Sequence, residues 1–291
     1  MKPAPFAYHA PVSAKEAVDL LAELGDGAKV IAGGQSLVPV LAMRLAVFDH
    51  LIDIRRIEAL RGTEERGDSV WIGAGTTEAE IGRSELLARR LPLLSRATPL
   101  IGHFQIRNRG TIGGSLAHAD PSAEYPAVAL ALEATVQALS PRGQRTIPAA
   151  EFFAGIWTTA LEPDELLTGI SFPAATARQG FAVEEFARRS GDFAVAGAAI
   201  AVGLDPGGRV GQCAIGLFGL GPTPLRAASA EASVLGTSAS AIDPAEIGQA
   251  AVADLNSVPS DLHGAAAYRK KVAAAMVTRA WEQAVKEAAN G

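Results

Sequence analysis

The sequence has almost no cysteine, since Cys213 is the only one among 291 residues. A single thiol cannot form an internal disulfide, and by itself it cannot ligate an iron–sulfur cluster or a structural zinc ion. It lies in the apolar run CAIGLFGLG, which favours a small buried hydrophobe. The five histidines are scattered without metal-ligand spacing, so the sequence predicts no metal site.

Clustered positive charge and long hydrophobic runs are also missing. The net charge is −5 with no long basic run, which argues against a nucleic-acid partner. The longest apolar run, FAVAGAAIAVGL, is shorter than the roughly 20 residues that span a bilayer. The first residues, MKPAPFAYHAPVSA, contain no apolar region of signal-peptide length. These absences predict a cytoplasmic protein with no transmembrane segment.

Local patterns in the first 150 residues predict alternating strands and helices. A helix is predicted after Ser13 as its N-cap, with Glu16 completing a capping box and Gly25 ending the helix. The strand SVWIG leads into a glycine-rich turn and a helix that starts near Thr77. The run ATVQALSPRGQRTIPAAEF predicts two strands around a Pro-Arg-Gly turn.

A change of composition divides the chain. The stretch AATARQG, residues 174–180, is small, polar and typical of a domain boundary. Three strand-like runs follow it, with PGG as a hairpin turn, and then an Ala-rich tail of helical spacing. We therefore predict one domain over residues 1–175, with lobes at about 1–57 and 58–175, and a C-terminal domain over residues 176–291 with a three-stranded antiparallel sheet plus helices.

Two glycine-rich turns carry the chemistry of the N-terminal part: AGGQS, residues 32–36, and TIGGS, residues 111–115. Glycine lets the backbone adopt positive φ and lie close to a ligand. Successive backbone N–H groups then converge on an anion, and a following helix adds free donors. Each turn alone is also compatible with a simple tight turn, but the pair predicts a diphosphate held from two sides. Neither a Rossmann fingerprint nor a P-loop is present.

The surrounding residues resemble a known family. KVIAGGQSLVPVLAMRL and RNRGTIGGSLAHADPSAEYPAVALAL together resemble the FAD-binding medium subunit of molybdenum hydroxylases, which includes the aerobic carbon monoxide dehydrogenase medium subunit and the xanthine dehydrogenase flavin domain. The resemblance covers the whole chain, including GAGTTEAEIGRS and FARRSGDFAVAGAAIAV. It implies an α+β fold of the vanillyl-alcohol-oxidase or PCMH type, in which two small α/β lobes precede an antiparallel sheet with C-terminal helices.

The resemblance also implies a non-covalent FAD site. In this family both glycine motifs give backbone N–H groups to the pyrophosphate, Ile101 lies beside the flavin, Leu167 packs near the cofactor, and Glu124 stands where an Asp often binds the sugar. No catalytic and no metal-binding residue is implied in this chain. The implied cofactor-binding residues are Ala32, Gly33, Gly34, Gln35, Ser36, Leu37, Thr77, Ile101, Thr111, Ile112, Gly113, Gly114, Ser115, Glu124 and Leu167.

The implied function is electron transfer within a larger enzyme. A large subunit holds the molybdenum cofactor, a small subunit holds [2Fe–2S] clusters, and electrons pass from the clusters through FAD to an external acceptor. The resemblance implies a dimer of such heterotrimers. Two alternatives stay open: a self-contained flavin-dependent oxidoreductase of the same fold, and a cofactor-free assembly subunit with relic loops.

Several polar residues near the second turn have two possible roles. His103 and His118 are either hydrogen-bonded structural residues or cofactor contacts. Asp120, before a proline, is either a loop cap or a base. Arg107 and Arg109 either approach phosphate or face a partner.

Overall fold

A computed structural model describes residues 2–291, which fold into three regions that are each built on a separate β-sheet. Two lobes form the N-terminal part, and a larger antiparallel sheet with helices follows them. Separate sheets with helices grouped around them make this an α+β fold, as predicted.

The first lobe is a parallel sheet with two helices. Its elements are β1 (Ala7–His9), α1 (Ala14–Leu24), β2 (Ala28–Ile31), α2 (Leu37–Ala42) and β3 (His50–Asp53). The strand order is β1-β3-β2, and β3 pairs in parallel with both neighbours, so β2 is an edge strand. Helix α1 is confirmed, because the Ser13 side chain accepts from the Glu16 N–H and Gly25 follows at a φ of 57°. The predicted capping box is wrong, because the Glu16 carboxylate accepts from the Val12 N–H at 2.8 Å and not from the Ser13 N–H.

The second lobe is built on an antiparallel sheet. Its strands are β4 (Thr63–Arg66), β5 (Ser69–Gly73), β6 (Thr135–Ser140), β7 (Gly143–Pro148), β8 (Phe153–Gly155), β9 (Thr158–Thr159) and β10 (Leu166–Pro173). The main sheet has the order β4-β5-β10-β6-β7, and β8 pairs only with β9. The predicted hairpin is confirmed as β6 and β7.

Most helices of the second lobe lie in one long segment between β5 and β6. They are α3 (Glu78–Arg83), α4 (Glu85–Arg90), α5 (Pro92–Ala97), α6 (Phe104–Arg107), α7 (Ile112–His118) and α8 (Glu124–Ala131), with α9 (Ala149–Phe152) after β7. The start of α3 is confirmed, because Thr77 caps it in a reciprocal capping box with Glu80. This segment carries the second glycine turn.

The C-terminal region packs helices on a sheet of four strands, one more than predicted. Its elements are β11 (Gln179–Phe186), β12 (Ala196–Leu204), β13 (Val210–Phe218), β14 (Leu225–Arg226), α10 (Ala228–Val234), α11 (Pro244–Ala253) and α12 (Ala266–Asn290). The extra strand, β14, has only two residues, too few for a recognisable alternating pattern. The hairpin at PGG is confirmed between β12 and β13.

Shared packing holds the three regions together. Phe181 and Ala199 of the C-terminal sheet belong to the buried core of the second lobe, and Leu166 of the second lobe belongs to the core of the first. Arg96 on α5 donates to the Glu287 carboxylate on α12, with Nη2 and Oε1 2.7 Å apart. The three regions are therefore packed against one another.

Candidate cofactor site

The first glycine turn, residues 32–36, offers free backbone donors. Gly34 has a φ of 75°, and the Gln35 side chain closes the turn by donating to the Gly33 carbonyl at 3.1 Å. Successive free N–H groups of this kind form a concave anion site. Four of these N–H groups have no acceptor within residues 2–291, namely those of Gly33, Gly34, Gln35 and Ser36.

The second glycine turn differs, because four of its five N–H groups, those of residues 112–115, already have acceptors inside the protein. The N–H of Ile112 donates to the Thr76 carbonyl (3.1 Å), and that of Gly113 donates to the Ala74 carbonyl (2.9 Å). The N–H of Gly114 donates to the Thr111 hydroxyl (3.1 Å), and that of Ser115 donates to the Thr111 carbonyl (2.9 Å). The bonds of Ile112 and Gly113 fasten α7 to the residues after β5, and those of Gly114 and Ser115 cap the helix within the turn. Contact of these groups with a diphosphate stays a prediction. The Thr111 and Ser115 hydroxyls remain available to donate to a ligand.

The two turns pack against each other through their glycines. A Cβ on Gly33 would overlap the Arg109 carbonyl and lie 2.8 Å from the Gly110 Cα. A Cβ on Gly114 would lie 3.7 Å from the Ala32 Cβ, and one on Gly113 would lie 2.5 Å from the Ala74 Cβ. Contacts within the protein are therefore sufficient to require glycine at positions 33 and 113.

The other predicted site residues lie in different surroundings. The Thr77 hydroxyl donates to Glu80 Oε2 at 2.7 Å, and Thr77 pairs with Thr111 in an isolated β-bridge. Ile101 is half-buried and Leu37 begins α2. Leu167 is buried in the core of the second lobe. Thr77 thus touches the second turn, whereas the Leu167 side chain is enclosed by protein.

Glu124 begins α8 and is buried, with 6% of its surface exposed. Burial is the main cause that raises the pKa of Glu124 to about 8, and the nearby carboxylates of Glu185 and Glu78 contribute to this rise. Most molecules therefore carry a proton on Glu124 at pH 7, so the carboxyl group can both donate and accept a hydrogen bond.

Two further carboxyl groups were missed from the sequence. Burial raises the pKa of Glu78 to about 7, although the Arg107 guanidinium opposes this, and burial raises the pKa of Glu185 to about 7. One oxygen of each is buried without a hydrogen-bond partner. Glu78 looks like an ordinary first-turn helix residue in the sequence; its burial follows from its contact with Gly110, where a Cβ would lie 2.5 Å from Glu78 Oε1.

The alternatives left open at other polar residues are now decided by contacts. Arg107 Nη1 donates to the carbonyls of Ile101 and Gly102, at 2.8 and 3.0 Å, so it secures that turn. Asp120 is a loop cap, because its Oδ1 accepts from the Ser122 N–H at 2.9 Å. Burial raises the pKa of the Cys213 thiol to about 12, which leaves it unreactive.

Within residues 2–291, no helix combines the length and the apolar character that a membrane crossing requires. No group of three His, Cys, Asp or Glu side chains in that part of the chain is arranged to hold a metal ion.

These features fit a dinucleotide that carries a diphosphate. The first turn supplies free N–H groups, the second supplies hydroxyl groups, and the neighbouring carboxyls have raised pKa values, which lowers negative charge beside an anion. Together the fold and this site define an FAD-binding protein of the two-lobed type.

Comparison with known families identifies the chain further. Residues 4–175 match the family described as the FAD binding domain in molybdopterin dehydrogenase, and residues 181–284 match the CO dehydrogenase flavoprotein C-terminal domain. The chain therefore belongs to the family of FAD-binding medium subunits of molybdenum hydroxylases, and its cofactor is FAD.

Similar proteins match over nearly the whole chain. The 6-hydroxypseudooxynicotine dehydrogenase complex subunit alpha of Paenarthrobacter nicotinovorans is 42% identical and covers 99% of this chain and 97% of its own length. The carbon monoxide dehydrogenase medium chain of Hydrogenophaga pseudoflava is also 42% identical, over 96% and 97%. One is named as a subunit of a complex and the other as a medium chain.

Solved structures agree with this assignment. A chain of carbon monoxide dehydrogenase from Hydrogenophaga pseudoflava has a TM-score of 0.93 and 44% identity, covering 98% of both chains. A chain of quinoline 2-oxidoreductase from Pseudomonas putida 86 has a TM-score of 0.93 and 33% identity, covering 99% of both. The predicted fold type is thereby confirmed.

Proposed function

We propose that this chain is the FAD-carrying, electron-transfer subunit of a heterotrimeric molybdenum hydroxylase. Its partners are a large subunit with the molybdenum cofactor and a small subunit with [2Fe–2S] clusters, from which it accepts electrons for an external acceptor. The single cysteine of the sequence supports this division, since this chain has too few thiols to bind a cluster. A dimer of heterotrimers located in the cytoplasm is part of the same proposal.

The observation that carries the proposal is the pair of glycine turns in a family whose cofactor is FAD. The free N–H groups of residues 33–36 and the hydroxyls of Thr111 and Ser115 are assigned to the diphosphate. Protonated Glu124 is assigned to a sugar hydroxyl. When bound, FAD supplies the redox chemistry, and the residues of this chain hold and orient it.

The remaining expected contacts stay part of the proposal. Ile101, Leu37 and Leu167 are assigned to the surroundings of the cofactor, and Thr77 to support of the second turn. The division into residues 1–175 for the cofactor and 176–291 for the C-terminal domain is proposed on the same basis.

The test uses the purified complex and the purified full chain. The isolated chain should be yellow, and both it and the complex should release non-covalent FAD on denaturation. The flavin absorbance of the complex should bleach when the substrate of the large subunit is added, whereas the isolated chain should keep its colour with the same substrate. A colourless protein that takes up no FAD would favour the cofactor-free assembly subunit, and rapid bleaching of the isolated chain by a small organic substrate would favour the self-contained oxidoreductase.

A further inference from the structure

Glu78 carries a buried carboxyl group that the fold leaves without a stabilising partner. It is the first residue of α3, only 4% of its surface is exposed, and its Oε2 is buried without a hydrogen-bond partner. The cation that acts on it, Arg107, donates from Nη1 to the carbonyls of Ile101 and Gly102 instead. A buried carboxyl group without a partner costs stability, so its presence favours a role in function.

Contacts place this carboxyl group behind the junction of the two glycine turns. A Cβ on Gly110 would lie 2.5 Å from Glu78 Oε1 and 2.8 Å from Oε2, so both oxygens lie against the Gly110 backbone. On the other side, a Cβ on Gly33 of the first turn would lie 2.8 Å from the Gly110 Cα. Since a Cα–Cβ bond is about 1.5 Å long, Oε1 lies within roughly 8 Å of the Gly33 Cα.

A diphosphate in the first turn places negative charge close to this carboxyl group. The free N–H groups of residues 33–36 are assigned to the diphosphate. Glu78 lies within about one Debye length of that turn, which is roughly 8 Å at physiological ionic strength, and a buried charge is screened less than an exposed one. Because a nearby negative charge disfavours the ionised form of a carboxyl group, ionisation of Glu78 and binding of the diphosphate oppose each other.

We propose that Glu78 takes up a proton when the dinucleotide binds, so that this carboxyl group sets the pH range in which the chain holds its cofactor. This assignment rests on the proposed function, since the diphosphate supplies the negative charge. The proton comes from solution and converts the carboxylate to a carboxylic acid, and no other bond changes.

The other ionisable groups that act with Glu78 lie on α6 and α8. Burial raises the pKa of Glu78 to about 7 in the free chain, and the Arg107 guanidinium opposes this. On α8, the pKa of Glu124 is raised to about 8 by burial, and burial raises the pKa of Tyr125 well above 10, so the phenol stays neutral. Free Glu78 is therefore mostly ionised at pH 8, and FAD binding should weaken as pH rises through 7.

The test titrates the full chain, stripped of cofactor, with FAD at pH 6 and pH 9, using flavin fluorescence. Relative to Glu78→Gln, the wild type should lose about tenfold in FAD affinity between these pH values, because the amide is uncharged at both. Glu80→Gln, at an exposed position on the same helix, is the matched control. Although burial opposes it, hydrogen bonds from Thr77 hold the pKa of Glu80 below 4.5, so this variant should keep the pH dependence of the wild type.

Calorimetry in two buffers of different ionisation enthalpy counts the protons directly. At pH 8 the wild type should take up about half a proton per FAD more than Glu78→Gln. If Glu78→Gln does not fold, the count is made in Glu124→Gln, in which the uptake should persist because Glu78 is intact.

Two results would overturn the role of Glu78 and leave the proposed function standing. One is FAD binding by Glu78→Gln with the pH dependence and proton count of the wild type. The other is FAD binding without proton uptake in the wild type or in Glu124→Gln. A full chain that binds no FAD at either pH would overturn the proposed function itself.

Discussion

The two glycine turns look alike in sequence but differ in what their backbones do. In the first, residues 32–36, the N–H groups from Gly33 to Ser36 have no acceptor within residues 2–291. In the second, residues 111–115, the N–H groups of Ile112 and Gly113 are bonded to Thr76 and Ala74, and those of Gly114 and Ser115 are bonded to Thr111 within the turn. A Gly-Gly pair therefore lies among free N–H groups in the first lobe and at a helix start with bonded N–H groups in the second.

The difference shows that a glycine motif does not by itself specify backbone binding to a ligand. Gly33 is glycine because Arg109 and Gly110, which directly precede the second turn, occupy the space of a Cβ. The first turn thus contributes donors while the second contributes the surface that holds those donors in place. Substitutions can therefore act either on the groups that bind the ligand or on the contacts that hold those groups in place.

The largest effect is expected from Gly33→Val. The added side chain would overlap the Arg109 carbonyl, so the lobes must separate, and we expect the cofactor-free chain to lose about 3 kcal/mol of unfolding free energy. Thermal unfolding of the apoprotein measures this. Gly155→Ala is the matched control, since a Cβ there meets only the Thr158 Cβ at 3.9 Å. If the variant keeps the stability of the apoprotein but loses FAD, glycine is required at this position because the ligand approaches its backbone.

The next effect concerns the charge beside the second turn. Glu124 keeps its proton in the folded chain up to about pH 8, but in the unfolded chain it ionises near its ordinary value of 4.5. The folded state therefore binds more protons between these values, and the stability of the wild type falls as pH rises through that window.

Glu124→Gln removes this titration. Relative to the wild type, the variant should gain about 4 kcal/mol of unfolding free energy between pH 5 and pH 9. Denaturant unfolding at both pH values measures the difference. A control is Glu165→Gln, whose carboxylate is paired with Arg145 and has a lowered pKa, so its difference from the wild type should stay constant between pH 5 and pH 9 and should shrink only below the ordinary value of 4.5. If the unfolding free energies of both variants change with pH in the same way, Glu124 does not carry a proton in the folded chain.

A smaller effect is expected at the hydroxyl that the second turn leaves free. Ser115→Ala removes a group with no partner within the described chain and places a better helix former in α7. Apoprotein stability should not fall, while FAD should bind about tenfold more weakly, because a hydrogen bond to a charged phosphate is lost. Equilibrium titration with FAD measures the change, and unaltered affinity would leave the first turn as the sole source of donors.

The sequence predicted local features well and long-range contacts poorly. The start and end of α1, the helix start near Thr77 and the hairpin of β6 and β7 follow from residues a few positions apart, and all are confirmed. The contact of Gly33 with Arg109 joins residues from different lobes, and no local pattern encodes it. Burial of Glu78 has the same origin, since it depends on where Gly110 packs.

The smallest effect sharpens the distinction between a residue that binds the cofactor and one that supports the turn. Thr77 was expected among the cofactor contacts, yet its hydroxyl donates to Glu80 and accepts from the Glu80 N–H. Thr77→Val keeps the shape and removes the cap, so we expect a loss of about 1 kcal/mol of stability. FAD affinity should stay within about twofold of the wild type. A tenfold loss of affinity in a variant of otherwise normal stability would show instead that the Thr77 hydroxyl leaves its cap to bind the cofactor.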